Sequence, residues 1–459
     1  MGHTALEQDK GHLFRNRDLW KLLVPLVIEQ FLASLMGIID AMMVSNIGSA
    51  AISAVSLVDS INVLVIQAFS ALAAGGTILC SQFIGSGDEK GAKRAAEQVV
   101  FLVAAVSVFI TAFCLLFRTG LLRLVFGAVE PAIMEASETY FFYTSLSFPF
   151  IALYGAGSSI LRAQADSKRP MFISVVSNCL NVGGNAVLIW GFHMGVAGAA
   201  VSTLVSRIFC ALTVYAVLRR QDRKIVIRDY WKIRPTWALI RKVLSIGIPS
   251  GIENSMFQFG KLAIQSTVST LGTVAIAAQA MTNILEGLSG VTAMGIGIGL
   301  MTVVGQCIGA GREDEAVYYI KKLSLAAEAV VTVSCLVVFA LTKPVTVLGG
   351  MEAESAAMCF TMMAVITVVK PLAWTMCFIP ADGMRAAGDV RFTMVVSCVS
   401  MWLCRVSLSM FLCRVMGFGP MGVWIGMFAD WTVRGIAFGL RFRSRKWLAA
   451  GVLVDRGNT

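Results

Sequence analysis

Pro25 and Glu29 of this chain recur as Pro249 and Glu253, and the offset between them, 249 minus 25, is 224 residues. The same offset carries Ile28 onto Ile252, Val44-Ser45 onto Val268-Ser269, Gly48 onto Gly272 and Ala51-Ile52 onto Ala275-Ile276. Further along, Gly75 falls on Gly299. The run Gln82-x-Ile84-Gly85-x-Gly87-x-Glu89 falls on Gln306-x-Ile308-Gly309-x-Gly311-x-Glu313. Polar and turn residues are among the matches, and shared apolar composition alone would not align those at one register. The chain is two copies of one unit.

What the unit is follows from composition. Of 459 residues, 57% are apolar and 14% are charged, where a soluble domain carries about 25% charged residues. Apolar stretches of about 20 residues, the length a helix needs to cross a bilayer, recur along the whole chain. Twelve spans are expected, near 22–44, 52–82, 96–117, 138–160, 171–192, 196–218, 243–268, 276–306, 321–342, 357–381, 393–413 and 420–441. The fold class is therefore an all-α polytopic membrane protein, with twelve transmembrane helices in two six-helix lobes. Six spans return the chain to its starting side, so the second copy enters with the same polarity and the internal repeat is parallel. The expected domains are an N-lobe over 1–218, a basic cytoplasmic linker over 219–242 and a C-lobe over 243–459. Gly295 and Gly299, at GxxxG spacing, predict a close helix contact.

The formal charge of +11 could suggest nucleic acid. The basic residues sit in short loops, however, and membrane topology accounts for them. Lys10, Arg15, Arg17, Lys90, Lys93, Arg94, Lys168, Arg169, Arg312, Lys321, Lys322, Arg385, Arg391, Arg443 and Arg456 share one side. The other side holds Arg118, Arg123, Lys343 and Arg414. Both termini are expected in the cytoplasm. The linker has nine basic residues interleaved with Ile225, Ile227, Tyr230, Trp231 and Trp237, as suits a strip along the inner surface. Leu22–Val44 reads as a retained span because no small-residue cleavage site follows it. Leu6 stands where a myristoylation motif wants Ser or Thr.

Charges inside spans carry the functional signal, because a charge in hydrocarbon is costly and usually faces a cavity or a partner. Glu29, Asp40, Asp59 and Arg207 lie in the first copy. Glu253, Lys261, Glu286, Lys370, Arg405, Asp430 and Arg434 lie in the second. Asp40 is flanked by Met36, Gly37, Ile38, Ile39, Met42 and Met43, with no basic residue within reach on its helix. Its carboxyl is expected to take up a proton or hold a cation. Asn178, Asn181 and Asn185 share one helix face and could orient Asp40, ligate a cation through their oxygens, or form an interhelical ladder. In the second copy Asp40 falls on Ile264, and Lys261 replaces Gly37. Glu286 lies at similar depth on the next helix, so an ion pair between Lys261 and Glu286 is expected.

Several functions are excluded. The three histidines, His3, His12 and His193, cannot build a His-rich metal site, and the 11 cysteines lie singly with no CxxC pair. Ser255 and Leu262 break any P-loop reading of Gly260-Lys261. No Ser-His-Asp arrangement is visible, so an enzyme is not expected, no cofactor is implied, and energy would come from an ion gradient.

These features resemble the multidrug and toxic compound extrusion (MATE) family of cation antiporters. The resemblance covers nearly the whole chain. It rests on Pro25 with Asp40 in "MGIIDAMMVSNIG", and on "SQFIGSGDEKGAKRA" with its copy "GQCIGAGREDEA". It rests also on "LRAQADSKRP", "MRAAGDVRF" and "GVAGAAVSTLVSR". It implies two six-helix lobes around a cleft, a monomer in the inner membrane, and small organic cation substrates exchanged for H⁺ or Na⁺ across the lipid bilayer. By position Asp40 corresponds to the first-span acid of ion coupling, and Asn181 to an asparagine of the same site, which together could hold Na⁺. Asn185 stands where several members have aspartate, which favours H⁺. Asn178, Glu253, Lys261 and Glu286 complete the candidate ion and substrate residues, and Pro25 is the candidate hinge. A lipid-linked precursor flippase and a non-transporting membrane sensor are the alternatives.

Overall fold

A computed structural model of the chain describes residues 11–127, 130–220, 224–228, 230 and 233–450. His3, Leu6, Lys10, Trp231 and Arg456 lie outside them. Every expected span is a helix. They are α1 (Asn16–Ser45), α2 (Ser49–Gly85), α3 (Glu89–Leu116), α4 (Pro131–Ala163), α5 (Lys168–Gly191) and α6 (Gly195–Leu218) in the first copy. The second copy supplies α7 (Trp237–Val268), α8 (Thr273–Gly309), α9 (Glu313–Leu348), α10 (Ala353–Ala387), α11 (Val390–Arg414) and α12 (Met421–Arg443). Ten of these are long and apolar enough to cross a membrane. The other two, α7 and α12, are the ones that hold Glu253 with Lys261 and Asp430 with Arg434. Helix α7 begins at Trp237, inside the stretch expected to be linker.

The repeated sequence motifs are turns. Gly87 and Gly311 both have positive φ, 77° and 71°, a conformation that favours glycine. Each closes a helix with the same pair of hydrogen bonds. Ser86 N donates to Gln82 O and Asp88 N to Phe83 O after α2; Ala310 N donates to Gln306 O and Arg312 N to Cys307 O after α8. These bonds satisfy carbonyls that the helix end leaves open. Gly48 and Gly272, at φ 140° and 96°, open α2 and α8 in the same way.

By contact the chain forms two compact units, Leu32–Gly251 and Met1–Phe31 with Ile252–Thr459. Their limits differ from the expected 1–218 and 243–459, because the first part of each copy's opening helix packs on the other copy's second helix. In one unit, a Cβ on Gly295 of α8 would lie 2.8 Å from the backbone of Val27, and Gly299 sits against Leu23 and Leu26. In the other, a Cβ on Gly75 of α2 would lie 3.0 Å from Val243 O and 3.4 Å from Gly247 N. Leu23 maps onto Gly247 and Gly75 onto Gly299 by the same 224-residue offset, so one contact is made twice. Only a helix without side chains at those points allows backbones so close.

Gly295→Ala should therefore destabilise the protein by about 1–3 kcal/mol, the usual cost of overpacking against a part that cannot yield. Gly37→Ala, where nothing lies within 4 Å, should leave the thermal unfolding midpoint in detergent unchanged or raise it. Equal midpoints for the two variants would contradict the close contact.

Candidate functional site

Asp40 projects from α1 toward α5, and small residues between α5 and α6 set what it meets. Gly184 of α5 leaves room for Ser202 of α6, whose side chain a Cβ there would strike. Ser202 Oγ donates to Asn181 O at 2.8 Å, and Ser177 Oγ donates to Ser206 O at 3.1 Å. These bonds fasten α5 to α6 and fix the face that carries Asn181 and Asn185. Asn185 Nδ2 donates to Asp40 Oδ1 at 2.9 Å. The Asn181 amide is satisfied with its nitrogen toward the acid: it donates to Asp40 Oδ1 at 2.8 Å and Oδ2 at 3.2 Å. Its oxygen then accepts from Thr203 Oγ1 at 3.3 Å. Immediately beyond Asn185 the helix widens to a π segment, Ala186–Gly191, a distortion that recurs at functional sites.

The structure thus brings Asp40, Asn181 and Asn185 together and leaves Asn178 apart, its Nδ2 buried without a hydrogen-bond partner. The Asn185 oxygen is also a buried acceptor without a donor. Among the described residues Asp40 makes no ion pair, and its partners are neutral amides. A second acid, Asp59 of α2, lies within electrostatic reach of Asp40. It accepts from Asn62 Nδ2 at 3.1 Å and from the Tyr140 hydroxyl at 3.4 Å. Arg207 of α6 adds a positive charge in the same neighbourhood, and its NH1 donates to Ser147 Oγ at 2.6 Å. The sequence marks Asp59 and Arg207 as intramembrane charges. Tyr140 gives no such signal, since a lone tyrosine near a helix end reads as packing.

In the unit that contains Ile252–Thr459 the charges are mostly paired. Arg385 NH2 donates to Glu253 Oε1 at 2.6 Å and its NH1 to Asp382 Oδ1 at 2.7 Å. Arg434 NH2 donates to Asp430 Oδ2 at 2.7 Å, and Ser400 Oγ donates to Asp430 Oδ1 at 2.7 Å. The expected Lys261–Glu286 pair is not formed. Glu286 is taken by Lys370 of α10, fully buried, whose Nζ donates to Glu286 Oε1 at 2.6 Å, Glu286 O at 2.7 Å and Ser289 Oγ at 2.9 Å. Gly290, one turn after Glu286, makes this approach available: a Cβ there would lie 3.0 Å from Lys370 Nζ. Depth along two neighbouring helices suggested Lys261, but packing of a third helix decides the partner. Pro25 lies inside α1, which runs unbroken through it.

A duplicated bundle of helices long and apolar enough to span a membrane, with a carboxylate held among amides on one of them, has the architecture of an integral membrane transporter. The chain belongs to the MatE family: the family model matches twice, over residues 25–187 and 249–411, at the 224-residue offset of the repeat. It is 27% identical to the "Uncharacterized transporter YisQ" of Bacillus subtilis, over 98% of both chains. It is 26% identical to the "Probable multidrug resistance protein NorM" of Thermotoga maritima, covering 95% of this chain and 94% of that one. Among solved structures, an outward-facing "multidrug resistance MATE family transporter of the MOP superfamily" superposes with a TM-score of 0.85. It shares 21% sequence identity and covers 93% of this chain and 95% of that one.

Because Lys370 and Glu286 satisfy each other, Lys370→Met alone should destabilise by about 3–5 kcal/mol, the cost of leaving a buried charge unpaired. The double variant Lys370→Met with Glu286→Gln should recover most of that loss in thermal unfolding. Lys261→Met should cost far less. A loss at Lys261 equal to that at Lys370 would restore the pairing read from sequence.

Proposed function

We propose that the protein is a secondary exporter of amphipathic organic compounds bearing a cation, driven by inward movement of H⁺ or Na⁺, with Asp40 as the group that takes up the driving ion. The observation that carries this is the company Asp40 keeps. A carboxylate inside a membrane helix, held by amide N–H donors and paired with no cation, is costly to keep charged and is relieved by any small cation that reaches it. The amides of Asn181 and Asn185 present N–H groups to the acid. A proton can bind a free carboxylate lone pair with those donors in place, whereas Na⁺ prefers a shell of oxygens and would have the amides turn. H⁺ is thus the favoured ion, and Na⁺ at Asp40 and Asn181 is the second.

The proposed cycle is a competition. Ion uptake neutralises Asp40, its hold on the amides of α5 changes, and cargo and ion cannot both be held at full strength. Pro25 lacks the N–H that would close one helical hydrogen bond in α1 and is the point at which that helix would bend. The basic loops favour cytoplasmic termini in an inner membrane, and the names of the relatives favour multidrug cargo. We read the protein as a monomer that handles no nucleic acid and performs no chemistry on its cargo.

The test is purified protein in liposomes, with H⁺ and Na⁺ gradients imposed separately and a cationic dye as cargo. Asp40→Asn should abolish gradient-driven dye movement while the protein remains folded and monodisperse. Dye flux that follows the gradient in the Asn variant would remove Asp40 from the mechanism. Flux in the wild type that follows Na⁺ alone would reverse the order of the ions.

A further inference from the structure

At one place the two copies of the unit carry opposite charges. Lys261 occupies the place of Gly37, one turn before that of Asp40, where the second copy has Ile264. Arg162-Ala163 recurs as Arg385-Ala386 at an offset of 223, so Arg405 of α11 falls at or beside the place of Asn181 in α5. Where the first copy sets an acid among amides, the second sets two cations.

Packing brings these cations together. Helix α7 meets α11 at Gly260, where a Cβ would strike the Met401 side chain and lie 3.4 Å from Val406 Cγ2. Lys261 follows that glycine, and Arg405 precedes that valine. Ile264 and Val406 share one buried apolar cluster, and Lys261 lies within electrostatic reach of Arg405. Phe257, one turn before Lys261, turns its ring to the Arg405 guanidinium at 5.6 Å and to that of Arg434 at 5.0 Å. Arg405 lies in a π segment of α11, Met401–Leu408, which by the repeat offset falls just before the place of the one in α5.

The acids nearby are already engaged. Glu286 is bound by Lys370, and Asp430 by Arg434 and Ser400. Among the described residues no ion pair or hydrogen bond reaches Lys261 or Arg405, and Arg405 Nε is buried without an acceptor. A buried donor of this kind is costly until something accepts from it.

We propose that Lys261, Arg405 and the ring of Phe257 form an anion subsite in the C-terminal unit that receives the carboxylate of an amphipathic cargo. The inference rests on the export reading and narrows its cargo to amphiphiles that carry an acid as well as a cation. A guanidinium offers paired N–H donors to a carboxylate, an ammonium adds a compact charge, and the ring covers the apolar part of the ligand.

The test uses the purified full-length protein in a neutral detergent, and measures binding of two dyes by fluorescence polarisation. Rhodamine B carries a xanthylium cation and a free carboxylate; rhodamine B ethyl ester carries the cation alone. The quantity read is the ratio of the two affinities. The wild type should favour the acid by about tenfold, the size of one charge-assisted hydrogen bond. Lys261→Gln and Arg405→Gln should each abolish the preference, and Arg405→Lys should keep part of it. If Arg405→Gln fails to fold, Lys261→Gln and Arg405→Lys carry the test. No preference in the wild type, or an undiminished preference in Lys261→Gln and Arg405→Gln, would overturn the subsite. A preference that collapses on adding phosphatidylglycerol but not phosphatidylcholine would assign it to a lipid headgroup and overturn the cargo reading. No ion gradient enters this measurement, so failure here and failure of coupling at Asp40 are separately visible.

Discussion

A charge inside an apolar helix bundle has to be matched, and that constraint orders the interior of this protein. Its desolvation is offset only by a close partner of opposite sign with the remaining hydrogen bonds satisfied. Lys370 meets the condition fully, with its ammonium spent on the carboxylate and carbonyl of Glu286 and on Ser289. Arg385 bridges Glu253 and Asp382, and Arg434 holds Asp430. Against that background the exceptions have meaning. Among the described residues Asp40 and Asp59 are held by neutral groups alone, and Lys261 and Arg405 have no ion pair, so these are places where a mobile charge has something to gain.

Glycine decides which partners can meet. Gly290 admits the Lys370 ammonium to α8, Gly184 admits Ser202 to α5, and Gly260 admits the π segment of α11 to α7. In each case a missing side chain lets a polar group or another helix come close enough to fix a neighbour's orientation. The asparagines that hold Asp40 are positioned this way, through a serine on α6 that would not fit against a larger residue. Their role belongs to three helices and not to α5 alone.

Duplication provides a common frame and divergence fills it differently. Both copies open their second helix on a positive-φ glycine and close it on another, and both receive the opening helix of the other copy at Gly75 or Gly299. The helices that carry candidate site residues are equivalent in the two copies, α1 with α5 and α7 with α11. Yet one pair carries an acid among amides and the other carries cations beside an aromatic ring.

Sequence alone made the twelve spans, their order and their approximate limits legible, but not the short helix Arg118–Phe126. A 20-residue apolar run in a bilayer has one way to satisfy its backbone, and that is a helix. It also determined the repeat and singled out Asp40, because an isolated acid in an apolar run is conspicuous without any knowledge of its neighbours. Tertiary structure alone decided the partners. Lys261 and Lys370 are equally visible as charges, but only the packing of α10 against α8 at Gly290 gives Glu286 to Lys370. Asn178, Asn181 and Asn185 share one face in sequence, but only two reach Asp40. Tyr140 joins Asp59 through a contact 81 residues away. Helix periodicity is a local property and is written along the chain; the choice among several chemically suitable partners depends on which distant helices touch, and no spacing within one helix encodes that.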